Sequence, residues 1–293
     1  MISERDVRLL DDRVVRVHDT GDVHDTGGVH APDALTVLWH HGSPQTGALL
    51  EPLVAAAAAR GIRLLSYGRP SYGGSNPNPG RTVASAATDV AHIADVLGVT
   101  RFATMGASGG GSHALACAAL LRDRVLTVVC LAGLAPFTER FDWYEGMVAP
   151  GGLRAAAAGR EARVRYAASD EFDKNSFTPA DWAALEGAWA ALGADAVRAG
   201  AAGPDGLIDD DLAFVNPWGF EIAQIDAPVL LVQGGQDRVV PPAHVDWLLR
   251  DCRSAELWLR PRDGHVSILD AIPIAMDWLR ATAAGRSPAT GSI

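Results

Sequence analysis

One serine, one aspartate and one histidine stand in this chain where acyl-transfer chemistry would need them. The serine lies in Met105-Gly106-Ala107-Ser108-Gly109-Gly110-Gly111, which reads G-x-S-x-G. Arg101 to Met105 before it has the pattern of a short buried strand, and Ser112 to Leu121 after it that of a buried helix. A serine on so sharp a strand-to-helix turn adopts strained backbone angles, and side chains two residues to either side would clash. Gly106 and Gly110 meet that need. Such a turn lifts the Ser108 hydroxyl to the top of a sheet and leaves the Gly109 N–H free at a helix N-terminus. That supplies a nucleophile and half of an oxyanion hole.

Serine at its ordinary pKa is a poor nucleophile. It needs a base, and the base needs an acid to orient it. In a sheet of this kind the chain order is serine, then acid, then histidine. Asp237 follows the apolar run Pro228 to Val232 and a Gly234-Gly235 turn, and is the candidate acid; Asp226 and Asp246 follow a strand end less directly. His265, in Arg262-Asp263-Gly264-His265-Val266, is the candidate base, because no other histidine occurs after His244. His113 is nearer to Ser108 in sequence, but falls on the following helix as a packing or capping residue. A second oxyanion donor is expected from the loop His40-His41-Gly42-Ser43-Pro44, with the Ser43 N–H as candidate beside that of Gly109. The Ser43 hydroxyl is read as incidental.

The elements that must hold these residues follow from apolar runs and turn signals. Val7 to Leu10 and Val14 to His18 read as opening strands. Strands at Ala34 to His40, Ile62 to Ser66, Arg101 to Met105 and Val125 to Ala132 alternate with helices at Thr46 to Arg60, Thr82 to Leu97 and after Ser108. The alternation resumes with a strand at Pro228 to Val232, a helix from Ala243, a strand at Ala255 to Leu259 and a last helix from Val266. This implies an α/β fold with a mostly parallel sheet covered on both faces. Between Ala135 and Glu221 it breaks, and helical patterns appear at Leu153 to Ala168 and Pro179 to Val197, with a turn-rich link at Gly200 to Gly206. So long a stretch is not a loop of a compact domain. A helical cap at 135–222 is expected, inserted into a core of 1–134 and 223–293. Trp143, Trp182, Trp189 and Trp218 are read chiefly as packing the cap onto that core.

Composition excludes other chemistries. The chain has 293 residues, 48% hydrophobic and 20% charged, enough to bury a core. A net charge of −10 argues against nucleic acid or anionic membranes as partners. Met1 to Asp12 is charged and lacks the apolar run of a signal peptide, so the expectation is a cytoplasmic protein acting on a small-molecule acyl substrate, with homo-oligomerisation open. Lys174 is the only lysine, so there is no phosphate-binding G-x-x-x-x-G-K-[ST] loop, and a Schiff base would depend on that one residue. Cys117, Cys130 and Cys252 lack metal spacing, and no cofactor or metal is expected. His18, His24 and His30 recur within a near-repeat that is read as a surface duplication rather than a metal site. Asp89, His92 and Asp95 are read as a solvated helix face.

Together these pieces resemble the α/β-hydrolase fold family over nearly the whole chain. His41-Gly42-Ser43-Pro44 is similar to its H-G-x-P oxyanion loop, and Arg69-Pro70-Ser71-Tyr72-Gly73-Gly74-Ser75 to its R-P-x-Y-G-x-S loop. Ser108, Asp237 and His265 match its triad in type, order and position. Gly68 departs from the pattern, since relatives often carry an acidic residue there. The resemblance implies an eight-stranded sheet with an inserted cap. It also implies a serine hydrolase of the esterase, lactonase or peptidase-like branch, with haloperoxidase relatives; epoxide and haloalkane members use an aspartate where Ser108 stands. An ester is the first expectation. Amide hydrolysis would call on cap carboxylates such as Glu139, Asp142, Glu145, Glu171 or Asp173 to bind a substrate ammonium. The same fold could also host a hydroxynitrile-lyase-type reaction or a non-catalytic ligand-binding protein.

Overall fold

The computed structural model describes residues 2–21 and 34–285. Its sheet has eight strands: β1 (Ser3–Arg8), β2 (Val14–Asp19), β3 (Thr36–His40), β4 (Arg63–Tyr67), β5 (Phe102–Ala107), β6 (Val125–Leu131), β7 (Val229–Gly234) and β8 (Ala255–Arg260). They lie in the order β1-β2-β4-β3-β5-β6-β7-β8. β2 runs antiparallel to both β1 and β4, and the other neighbours pair in parallel. β3, β5, β6 and β7 are buried along their whole length, as continuous apolar runs covered on both faces require.

Two apolar clusters sandwich the sheet. One holds α2 (Ser85–Val96), α3 (Gly109–Leu120) and α9 (Pro242–Asp251); the other holds α1 (Glu51–Ala58) and α10 (Ile272–Ala284). Cys117, Cys130 and Cys252 are free and buried, and burial pushes the Cys117 and Cys130 thiols up, the latter to about 12. Among the described residues no helix is long and apolar enough to cross a membrane, and no group of three metal-binding side chains gathers.

Between β6 and β7 the chain forms α4 (Gly151–Ala157), α5 (Arg160–Ala167), α6 (Pro179–Glu186), α7 (Ala190–Ala201) and α8 (Asp205–Val215). Trp143, Phe214 and Trp218 pack this segment into the first cluster and Trp189 into the second. Each of the three indole N–H groups has a partner: Trp143 donates to the Ala135 carbonyl, Trp218 to that of Phe214, and Trp189 to Asp270.

Several local expectations are corrected. The helix expected from Thr46 starts at Glu51, with Pro52 in its first turn. Residues 46–50 form a loop instead, because Thr46 is tied to α7 by two hydrogen bonds to Asp195. The single helix expected over Leu153 to Ala168 breaks at Gly159, whose φ is +105°, and that over Pro179 to Val197 breaks at Gly187. Helix α8 lies where no helix is expected. Asp89 does not belong to a solvated face: it is buried and paired with Arg13 at 2.6 Å. Of the His18, His24 and His30 series only His18, on β2, lies within the described residues.

Candidate active site

Ser108 sits between the end of β5 and the first residue of α3 with φ 55° and ψ −132°, a conformation in which L-residues are strained. The turn closes because its flanks are bare. A Cβ on Gly106 would strike the Gly110 backbone, and one on Gly110 would strike the carbonyls of His40 and His41. The Ser108 N–H donates to Leu131 on β6, which anchors the turn to the sheet.

The Ser108 hydroxyl lies 3.0 Å from Nε2 of His265, and Nδ1 of His265 lies 2.7 Å from Oδ2 of Asp237. A carboxylate facing Nδ1 fixes the proton there and leaves Nε2 to accept from Ser108. Asp237 is itself held. Its Oδ1 accepts the N–H groups of Val239 at 2.8 Å and Val240 at 2.9 Å, so the side chain is set by the loop after β7. Burial works against a charged imidazole at His265, but the charge and hydrogen bond of Asp237, with the charge of Asp181, outweigh it and raise its pKa above the ordinary value. The rival aspartates are elsewhere: Asp226 is paired with Arg122, and Asp246 is exposed on α9.

The loop carrying Ser43 runs against the same turn. A Cβ on Gly42 would lie 3.5 Å from that of Ser108, and one on Gly109 would lie 3.0 Å from the Ser43 hydroxyl. The Gly109 N–H opens α3 and has no partner inside the helix. Ser43 and Gly109 are therefore neighbours beside Ser108, with the Phe214 ring of α8 against Gly109. His113 is buried, with Nδ1 2.7 Å from the Gly109 carbonyl, and burial lowers its pKa to about 3. It packs, as its place on the helix suggests.

The sequence does not disclose what holds the Ser43 loop. Asp210, on α8, is fully buried. Its carboxylate accepts from the Ser43 hydroxyl, from Arg69 at 2.7 Å, from Arg81 at 2.7 Å and from Tyr72 at 3.1 Å. Arg69 also donates to the carbonyl of His41 and to the Ser43 hydroxyl, while its N–H donates to Nε2 of His41. Burial opposes ionisation of Asp210, but the guanidiniums of Arg69 and Arg81 outweigh it and hold the carboxyl well below the usual carboxylate range. The Ser43 hydroxyl is therefore part of a buried ion-pair cluster rather than incidental. Gly68, next to Arg69, leaves no room for an acid: its Cβ would lie 2.6 Å from the Tyr72 carbonyl. The charge that meets Arg69 comes from Asp210 instead. The one signal in the chain is Asp209-Asp210-Asp211, three acids set inside the apolar run Ile208 to Val215.

The family model for the alpha/beta hydrolase fold matches residues 36–272, so the chain belongs to that family. No curated protein sequence matches it significantly. Among solved structures it is similar to a thermophilic esterase from Thermogutta terrifontis (19% identity, TM-score 0.70, covering 96% of this chain and 99% of that one). It is also similar to the enol-lactonase from Burkholderia xenovorans LB400 (19% identity, TM-score 0.69, covering 96% and 100%). A third likeness is to a bromoperoxidase from Bacillus anthracis (21% identity, TM-score 0.70, covering 95% and 98%). At these identities the likeness is one of fold.

Proposed function

We propose that this protein is a serine hydrolase that cleaves small carboxylic esters or lactones through an acyl-enzyme on Ser108. The observation that carries the reading is the continuous hydrogen-bond chain from Asp237 through His265 to a strained Ser108 at the start of α3. In the first half, the Ser108 oxygen attacks the carbonyl carbon as its proton passes to Nε2 of His265. Asp237 holds the ring and stabilises its charged form, while the N–H groups of Ser43 and Gly109 face the developing oxyanion. The carbon–oxygen bond to the alcohol then breaks, and His265 returns the proton to the leaving oxygen. In the second half, water gives a proton to His265 as it attacks the acyl carbon, and the acid departs with Ser108 restored.

Helices α4 to α8 act, in this reading, as a cap domain spanning 135–222 over a core of 1–134 and 223–293. Ester is favoured over amide because, among the described residues, none of the acids that would bind a substrate ammonium is tied to the Ser108 turn. Glu139, Asp142, Glu145 and Glu171 are exposed, Asp173 caps its own turn through Asn175, and Asp210 is already matched by two arginines.

Labelling with a fluorophosphonate tests the proposal. A phosphonyl adduct is expected on Ser108 in the wild type and on neither Ser108→Ala nor His265→Ala. Turnover of simple esters should fall by about a thousandfold or more in Ser108→Ala. No adduct on folded wild-type protein would overturn the reading. Absence of an acyl adduct during turnover of a cyanohydrin would point to the lyase chemistry instead.

A further inference from the structure

Gly264 and Ser267 flank His265, and both meet a side chain from the inserted helices. Asp181, in the first turn of α6, is fully buried and sends its carboxylate into the loop between β8 and the 3-10 turn Ser267–Ala271. Its Oδ1 accepts the Val266 N–H at 2.9 Å, the Ser267 N–H at 2.8 Å and the Ser267 hydroxyl at 2.8 Å. Its Oδ2 accepts the N–H and the hydroxyl of Thr178, each at 2.9 Å. The Ser267 hydroxyl accepts in turn from the Gly264 N–H at 2.8 Å. A Cβ on Gly264 would collide with this carboxylate, so the glycine before His265 is required by Asp181 itself.

We propose that Asp181 is a positioning residue for His265, fixing the loop that carries the imidazole and adding a second carboxylate charge to that of Asp237. The role presupposes the reading of His265 as the base. Among the described residues Asp181 has no arginine or lysine partner, unlike Asp210. Burial disfavours its charge, yet the donors of Ser267 and Thr178 outweigh burial and keep it below the usual carboxylate range. Its charge is therefore present at neutral pH and uncancelled, and it adds to the pull of Asp237 on the His265 proton. The groups that face His265 are Asp237 from the loop after β7, Asp181 from α6 and the neutral Ser108 from the turn before α3. Asp263, its near neighbour in the chain, is paired with Arg260.

The test is an NMR titration of the His265 ring proton, assigned by its absence from His265→Ala, in wild type, D181N and D181E. D181N keeps the shape and one acceptor oxygen, enough for the Val266 and Ser267 donors, while removing the charge and turning the other oxygen into an NH2 donor. It is expected to lower the His265 pKa by about half a pH unit, and D181E to leave it near the wild-type value. The pH dependence of Ser108 phosphonylation should move the same way. A folded D181N whose His265 titrates as in the wild type would overturn the proposal, even if labelling slowed, since removing a charge that acts on His265 must move its titration. A D181E that titrates like D181N would overturn the charge role as well. If D181N does not accumulate as folded protein, Gly264→Ala takes its place: by displacing the carboxylate it must lower the His265 pKa, and an unchanged value refutes the idea. The titration needs no substrate. Failure of wild-type Ser108 to label would therefore sink the hydrolase reading separately.

Discussion

Asp237, at the end of the sheet, and Asp210, on the inserted helices, both come within reach of the Ser108 region, yet their carboxylates do different work. Asp237 has no arginine paired with it among the described residues, Arg238 reaching the Asn175 carbonyl instead, and it directs its charge at His265. Asp210 is clamped by Arg69 and Arg81, so its charge is cancelled and its hydrogen bonds tie α8 to the Ser43 loop. In the proposed mechanism the sheet end supplies the reacting groups, whose charge acts on one another. The insert supplies matched charge whose purpose is to hold. The pattern extends to Asp195 on α7, which accepts from Thr46 and from Arg198. Asp181 stands between the two uses, as a carboxylate that holds a loop without being neutralised.

The difference predicts opposite damage. Ser108→Ala should abolish turnover and leave stability almost untouched, because only one partly exposed hydroxyl is lost. Asp210→Ala should do the reverse first. It strands the buried Arg69 guanidinium and leaves buried Arg81 with Asp209 alone, and breaking a buried pair in this way destabilises by about 3–5 kcal/mol. Urea unfolding would read this as a large drop in the midpoint, with activity falling because the Ser43 loop loses its anchor. If Asp210→Ala proves as stable as the wild type, the insert is not held by this cluster and the contrast fails.

A second prediction separates the two carboxylates by pH. A general base must be neutral, so kcat/KM should fall about tenfold per pH unit once the medium drops below the His265 pKa. That pKa is raised, so the acid limb should lie above pH 6.5. The sign for stability is opposite. A raised histidine adds stability that is full below the unfolded value and is lost as pH rises through the folded one. Activity therefore climbs over the same window in which this part of the stability declines. Asp210, held far below its usual range, stays ionised throughout and contributes nothing to that limb. An acid limb centred below pH 6 would show that Asp237 and Asp181 fail to outweigh the burial of His265.

The same contrast governs what the sequence makes legible. Ser108, Asp237 and His265 can be found because each lies at a strand end whose local pattern is forced: apolar runs, bare glycines, a fixed chain order. The sheet is readable for the same reason, since β3, β6 and β7 are buried throughout and mostly apolar. Helix α8 is not, because Asp209-Asp210-Asp211 looks like a solvated acidic face. Its meaning depends on Arg81 and Arg160 for Asp209, Arg69 and Arg81 for Asp210, and Arg163 for Asp211. Arg69 and Arg81 lie far away in sequence, and no periodicity carries that information. Asp89 misleads in the same way, its partner Arg13 lying just before β2 near the start of the chain. Charge on a helix is ambiguous between water and a distant guanidinium until the fold is known.

The smallest predicted effect tests whether all the insert's aspartates are equal. Thr46 gives Asp195 its N–H at 2.9 Å and its hydroxyl at 2.6 Å, while Arg198, more than half exposed, bonds the same carboxylate at 2.9 Å. Thr46→Val keeps the shape of the side chain and the backbone donor, and removes only the hydroxyl. Arg198 and the Thr46 N–H remain to satisfy Asp195, so no buried charge is stranded. The loss should be that of the hydroxyl's two hydrogen bonds, the one it donates to Asp195 and the weaker one it accepts from the Ala48 N–H, about 1–2 kcal/mol in urea unfolding, with kcat changed by less than about threefold. Asp210 has no such reserve, since its partners are themselves buried and Arg69 has no second carboxylate among the described residues. A Thr46→Val variant as damaged as Asp210→Ala would mean that the Thr46–Asp195 contact, and not the arginine cluster, is what fastens the insert to the loop after β3.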